Sequence, residues 1–148
     1  MNKLRVLFLC TGNSARSQMA EGLVNHFLGD AWEAVSAGVK PAKEVHLLAI
    51  KVMAELGVDI SQQYPKKIDE FRNANLDLVI AVCDQAARQC PAWLGKGEVV
   101  HIGFPDPAAA DGGEEGKLQI FRQVRDGIRQ QILKYLRDWE APSSLVKL

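Results

Sequence analysis

A chain of 148 residues with 47% hydrophobic and 24% charged side chains is most simply one domain, large enough for a continuous core without disulfide or metal staples. The 18 Lys and Arg balance the 18 Asp and Glu, which excludes the net charge that would draw nucleic acid or an anionic membrane. No run approaches the ~20 apolar residues of a membrane span, no leader pattern opens the chain, and three cysteines read as thiols of a reducing cytoplasm.

In chain order, Arg5–Cys10 is expected as a buried strand. Arg16–Leu28 follows as a helix with Met19, Leu23 and Phe27 on one face and Gly29 near its end. Trp32–Ala37 reads as a second strand closed by Gly38, and Lys43–Leu56 as a helix stopped by Gly57. Ile60–Asn75 is polar and mixed, a loop with a short helix. Leu76–Cys83 is β-branched and apolar, the strongest strand pattern in the chain. Val99–Gly103 is a fourth strand, Asp106–Gly116 a Pro-, Ala- and Gly-rich loop, and Glu115–Trp139 a long closing helix. The single domain is expected over 1–139, with a disordered tail over 140–148.

Strands alternating with helices predict an α/β fold: a four-stranded parallel sheet flanked by helices on both faces, in three layers. Ligands of such sheets bind beyond the C-terminal strand ends. Cys10 ends the first strand, Cys83 the third, and Asp106 follows the fourth. Three chemically capable groups should therefore share one sheet edge.

The segment Cys10-Thr11-Gly12-Asn13-Ser14-Ala15-Arg16-Ser17 carries the most definite chemistry. Successive backbone N–H groups in a tight loop form an anion nest, and the helix that follows adds the positive end of its dipole. Gly12 is expected to supply backbone freedom, and Asn13 tolerates a left-handed conformation. Arg16 can grip two oxygens of a tetrahedral oxyanion. The same field favours the Cys10 thiolate, as at sites where thiol pKa values fall to ~3.5–7.5, and Ser17 or Ser14 could hydrogen-bond the sulfur. An anionic nucleophile beneath a phosphate-like guest is the result.

Val-Leu-Phe-Leu-Cys-Thr-Gly-Asn-Ser-Ala-Arg-Ser-Gln-Met-Ala-Glu-Gly (6–22) resembles the phosphate loop of the low-molecular-weight protein tyrosine phosphatase superfamily, and within it the thioredoxin-coupled arsenate reductases. Gln18-Met19-Ala20-Glu21-Gly22 favours the reductases, because the phosphatases usually place Pro after the loop serine. The likeness runs over most of residues 4 to 139, including Ser36-Ala37-Gly38 and Phe121-Arg122-Gln123-Val124-Arg125-Asp126. It implies a low-molecular-weight phosphatase-like fold and reduction of arsenate to arsenite. By the same resemblance Cys10 attacks arsenate, Cys83 attacks Cys10 and expels arsenite, and Cys90 resolves the bond to Cys83–Cys90, which thioredoxin reduces. Were 83–90 wholly helical, the two Cα atoms would stand roughly 10 Å apart, whereas a disulfide needs about 4.4–6.8 Å. Closing that bond should therefore unwind any helix between them, and equal amide-exchange protection in both redox states would refute this.

Asp106-Pro107 matches the family's mobile acidic loop, which implies a general acid near the leaving oxygen. Ala108-Ala109-Ala110 follow where the phosphatases often carry an aromatic residue, leaving a phosphotyrosine ring little to stack on. Ala15 stands where many relatives have a second loop cysteine. Some of the reductases hold potassium behind the loop through groups matching Asn13, Glu21 and Ser36 plus an acid. Here Lys66 falls at the acid's position, and its ammonium is expected to take the ion's place beside Glu21. No zinc site is expected, since His26, His46 and His101 are scattered. The expected cofactor set is empty, with electrons from a thioredoxin system, arsenate (or phosphate or sulfate as analogue) and thioredoxin as partners, and a monomeric state. A phosphatase built on Cys10, Arg16 and Asp106 is the first alternative, and a non-catalytic anion-binding or redox-sensing module the second.

Overall fold

The computed structural model describes residues 3–83 and 95–140. The expected α/β fold is found: a four-stranded sheet in the order β2-β1-β3-β4. It is parallel throughout, with Leu9 opposite Ala37 on one side and Ala81 on the other. Strand β1 is Leu4–Cys10, β2 Trp32–Gly38, β3 Leu78–Ala81 and β4 Glu98–His101. Helix α1 is Arg16–Phe27, α2 Leu47–Ala54 and α3 Glu114–Asp138, with 3₁₀ turns at Ile68–Phe71 and Pro107–Ala109. Strands β1, β2 and β3 are largely buried, while Val99 of edge strand β4 is half-exposed.

One apolar core joins the sheet to the helices. Phe8 and Ile80 from the sheet, Met19 and Leu23 from α1, and Phe121 and Ile128 from α3 are fully buried. Each contributes roughly 1.5–3 kcal/mol by leaving water. Helix α1 packs on β2 and α3, and α2 packs on α3. Trp139 meets Trp32 edge-to-face at 5.4 Å, tying the end of α3 to the start of β2.

Several elements differ from their sequence patterns, each for a tertiary reason. Helix α2 starts at Leu47 and not at Lys43, because the preceding backbone is used elsewhere: the N–H groups of Lys40, Ala42 and His46 donate to Thr11, Gly12 and Ser14 carbonyls at 2.9, 2.8 and 2.9 Å. The helix stops at Ala54, and Gly57 at φ 76° lets the chain turn back. Strand β3 is shorter than Leu76–Cys83 at both ends. The Leu76 N–H folds onto Ala74 at 3.1 Å, and the ladder closes with the Val82 N–H on Leu9 before the chain leaves the sheet. Strand β4 pairs over Glu98–His101, one residue earlier than expected at its start and two at its end. Cys90, the 84–89 stretch between the two downstream cysteines, and tail residues 141–148 lie outside the described residues.

Candidate active site

The strand order decides where the site falls. Strand β2 lies on one side of β1 and β3 on the other, so the connections leaving β1 and β2 diverge and open a crevice at the C-terminal ends of β1 and β3. Cys10 is the last residue of β1, and Cys83 lies two residues beyond β3. Both thiols are buried. Between Cys10 and α1 the loop lines a cavity of about 240 Å³ with Thr11, Gly12, Ser14, Ala15 and Arg16, closed opposite by Asp106 and Ala108.

The loop's carbonyls are all committed outside this cavity. Those of Thr11, Gly12 and Ser14 accept from the 40–46 segment, and that of Asn13 accepts from Gln18 Nε2 at 3.0 Å. Ala15, which precedes α1, offers no side-chain cap, so the first-turn N–H groups of the helix remain for a guest. The positive φ of the loop falls at Asn13, 50°, the residue expected to tolerate a left-handed conformation. Asn13 can hold that conformation because its buried amide is fully bonded: Nδ2 donates to Ser17 Oγ at 2.7 Å, and Oδ1 accepts from the Lys66 N–H at 2.9 Å. Gly38 permits the close pass of β2, since a Cβ there would sit 2.7 Å from the Thr11 carbonyl oxygen and 3.0 Å from Asn13 N.

These contacts set the acid strength of Cys10. A hydrogen bond from Cys83 is the largest influence lowering its thiol from the ordinary 9.0 to about 5. Burial opposes it, and the Ser17 hydroxyl, the Arg16 charge and the Asn13 N–H lower it further. Of the two candidate serines, Ser17 is the one on the sulfur, while the Ser14 hydroxyl turns away to the Glu44 carbonyl at 3.4 Å. Cys83 is within 3.7 Å of the Thr11 hydroxyl. Arg16 is held by the Phe104 carbonyl at 3.1 Å and faces Asp106 at 3.8 Å. Asp106 caps its own 3₁₀ turn, with Oδ1 accepting from the Ala108 N–H at 3.0 Å.

Behind the loop, Ser36 donates to Glu21 Oε1 at 2.6 Å, and Lys66 Nζ stands 3.8 Å from the same oxygen while donating to the Tyr64 carbonyl at 2.7 Å. Burial pushes the Glu21 carboxyl up, and Ser36 and Lys66 pull it back down. These residues do not fit a bound potassium ion: an ammonium already faces Glu21, and a second cation there would be repelled. Among the described residues no group of three or more His, Cys, Asp or Glu could hold a metal, and no helix is long and apolar enough to cross a membrane.

Sequence reasoning missed four contributors. Gln18 and Gln63 bond to each other behind Asn13. His46 touches Ser14 through its backbone N–H and Phe121 through its ring at 4.7 Å. Phe104 acts through a carbonyl, which no side-chain pattern can announce. The one available signal was Gln18, a polar residue in the first turn of a helix among positions that bury Ser17, Met19 and Ala20.

A cysteine held ionised at a strand end, an arginine one loop away and an acid across the cavity define a class of enzymes that attack tetrahedral oxyanions through sulfur. The chain belongs to the low molecular weight phosphotyrosine protein phosphatase family, whose pattern matches residues 5–144. It is 49% identical over 132 residues to the arsenate reductase of Halalkalibacterium halodurans, covering 89% of this chain and 94% of that protein. Among solved structures, an arsenate reductase in its oxidised state superposes with a TM-score of 0.76 at 29% identity, covering 90% of this chain and 96% of the other. A thioredoxin-dependent arsenate reductase of Corynebacterium glutamicum does so at 0.66 and 29%, covering 93% and 64%.

Proposed function

We propose that this protein is an arsenate reductase working by a three-thiol relay, with electrons from a thioredoxin-type dithiol. The Cys10 thiolate attacks arsenic while Asp106 protonates the departing oxygen, which leaves as water, and a sulfur–arsenic(V) bond forms. Arg16 and the loop amides stabilise the charge on the remaining oxygens. The Cys83 thiolate then attacks the Cys10 sulfur. The electron pair of the broken sulfur–arsenic bond stays on arsenic, which departs as arsenite, and a Cys10–Cys83 disulfide remains. Cys90 attacks Cys83, releasing Cys10 and leaving Cys83–Cys90, which the external dithiol reduces. Such a donor belongs to the cytoplasm.

The observation that carries this reading is the second thiol. Cys83 is buried against Cys10 as its main hydrogen-bonding partner, where attack on the Cys10 sulfur needs no large movement. A phosphatase has no evident use for it. Phosphatase activity is the second reading, favoured by the family and by the shared nucleophile, clamp and acid. Against an aryl substrate stands the cavity wall, where Ala108 lies beside an exposed Ala109.

The test is an arsenate assay with thioredoxin, thioredoxin reductase and NADPH, run on Cys→Ser variants at 10, 83 and 90. All three are expected to lose multiple-turnover reduction, and only Cys10→Ser to lose hydrolysis of a small phosphoester. In the Cys90→Ser variant, mass spectrometry should trap the Cys10–Cys83 bond. Arsenate turnover that survives loss of Cys83 would point to a phosphatase with incidental chemistry. The Lys66 ammonium is proposed to serve Glu21 in place of an ion, so potassium should leave both activity and melting temperature unmoved.

A further inference from the structure

We infer that Gln63 and Gln18 are positioning residues for the Cys10 thiolate: a one-way chain of hydrogen bonds beginning at Gln63 fixes which way the Asn13 amide faces, and so makes the Ser17 hydroxyl a donor to sulfur. The inference rests on Cys10 acting as a thiolate nucleophile and brings in a residue 45 positions from its partner in the chain.

The first constraint is a backbone group. The Lys66 N–H can only donate, and it meets Asn13 Oδ1 at 2.9 Å. That turns the oxygen of Asn13 toward Lys66 and its Nδ2 toward Ser17 Oγ, at 2.7 Å. Having received that hydrogen, Ser17 keeps its single proton for another acceptor, and the Cys10 sulfur is the acceptor it serves. With the Asn13 amide reversed, the Ser17 proton would be drawn to Asn13 Oδ1, and the sulfur would lose a donor.

One neutral hydrogen bond is a weak lock on that choice. Gln18 strengthens it. Fully buried, it sets Nε2 3.0 Å from Asn13 Oδ1, 3.0 Å from the Asn13 carbonyl and 3.0 Å from the Tyr64 carbonyl. Three oxygens around one nitrogen oblige the amide to present N–H there. Reversal of Gln18 is blocked in turn by Gln63, whose Nε2 donates to Gln18 Oε1 at 2.7 Å and to the Gln18 carbonyl at 3.0 Å. Glycine at 22 leaves room for this approach: a Cβ there would lie 3.4 Å from Gln63 Oε1 and 2.5 Å from Ile60 Cγ2. Every donor between Gln63 and the sulfur points the same way, so the chain is polarised toward Cys10.

The test follows the pH dependence of Cys10 alkylation by iodoacetamide, read on the Cys10 peptide by mass spectrometry. It compares the wild-type protein with Gln63→Leu, Gln63→Glu and, at the exposed neighbouring position, Gln62→Glu. Both Gln63 variants should raise the alkylation midpoint by about one pH unit, with Gln62→Glu unchanged. A midpoint that stays put in both Gln63 variants overturns the inference. So does a shift seen with Glu alone that shrinks in high salt, because that would be simple charge. Gln63→Asn, which shortens the reach and keeps the amide, takes over with the same two outcomes if the others do not fold. A wild-type midpoint near 9 would sink the thiolate reading itself, a result distinct from failure of the relay.

Discussion

The two walls of the cavity are built on opposite plans. On the nucleophile's side, Asn13, Ser17, Gln18, Ser36 and Lys66 are polar and buried, and the first three are satisfied by side-chain and backbone partners drawn from three segments, the loop, α1 and residues 63–66. On the acid's side, Asp106 is exposed, caps a three-residue turn, and meets the rest of the site through Arg16 at 3.8 Å. The difference fits the roles proposed for the two groups. A thiolate's acid strength depends on donors held within tenths of an ångström, so its surroundings are over-determined. A general acid must exchange a proton with water in every cycle, which a sealed environment would prevent.

If that contrast is right, damage to the two walls should show in different measurements. The largest stability effect is expected for Lys66→Met, which leaves the Glu21 carboxylate buried with Ser36 as its remaining partner among the described residues. Removing one member of such a pair costs about 3 kcal/mol at neutral pH and above. The Glu21 carboxyl is already raised above 4.5 by burial, and without Lys66 it rises further. The folded state then holds a proton that the unfolded state has released, so the variant should lose stability as pH rises through that folded value and regain it on acidification. Denaturant melts of wild type and variant at pH 5 and pH 8 check this, and an equal deficit at both would contradict it.

Asp106→Asn should do the reverse. Arsenate turnover is expected to fall about a hundredfold, equivalent to roughly 2.7 kcal/mol in the barrier, with the melting temperature within a degree or so of wild type. A large loss of stability would mean that the acid wall is as tightly built as the nucleophile's.

The smallest effect belongs to His46, which lies between the two walls. Its Nδ1 accepts from the Leu48 N–H at 3.1 Å, capping α2, which a protonated ring cannot do. Burial holds its imidazole below the ordinary 6.5, against the pull of Asp106 and alongside the push of Lys117. The contribution is therefore complete above pH 6.5 and lost as pH falls through the depressed folded value. A cap is worth about 1 kcal/mol. His46→Ala should lower stability by that amount at pH 8 and by little at pH 5, measured by the same melts.

Much of the fold was legible in local pattern. The β-branched run at the third strand and the strand-to-helix transition at Cys10–Arg16 both lie where their residue types put them. The start of α2 was not legible, because residues 43–46 are helix-compatible in isolation and are held out of the helix where the His46 N–H finds the Ser14 carbonyl. The left-handed residue was legible by type, since Asn tolerates that conformation, whereas the buried partners of its amide on α1 and at Lys66 were not.

By itself, the sequence determined the chemical parts: a thiol at a strand end, an arginine at a helix start, an acid after the fourth strand, and an ammonium at position 66. Periodicity and turn chemistry act over a few residues, and these features need no more than that. Only tertiary structure decided which parts meet. Placing β3 beside β1 brings Cys83 to Cys10, and packing the 60–66 segment on α1 brings Gln63 to Gln18. Such pairings depend on strand order and helix packing, which are settled by burial of the whole apolar core and leave no mark on neighbouring residues in the chain.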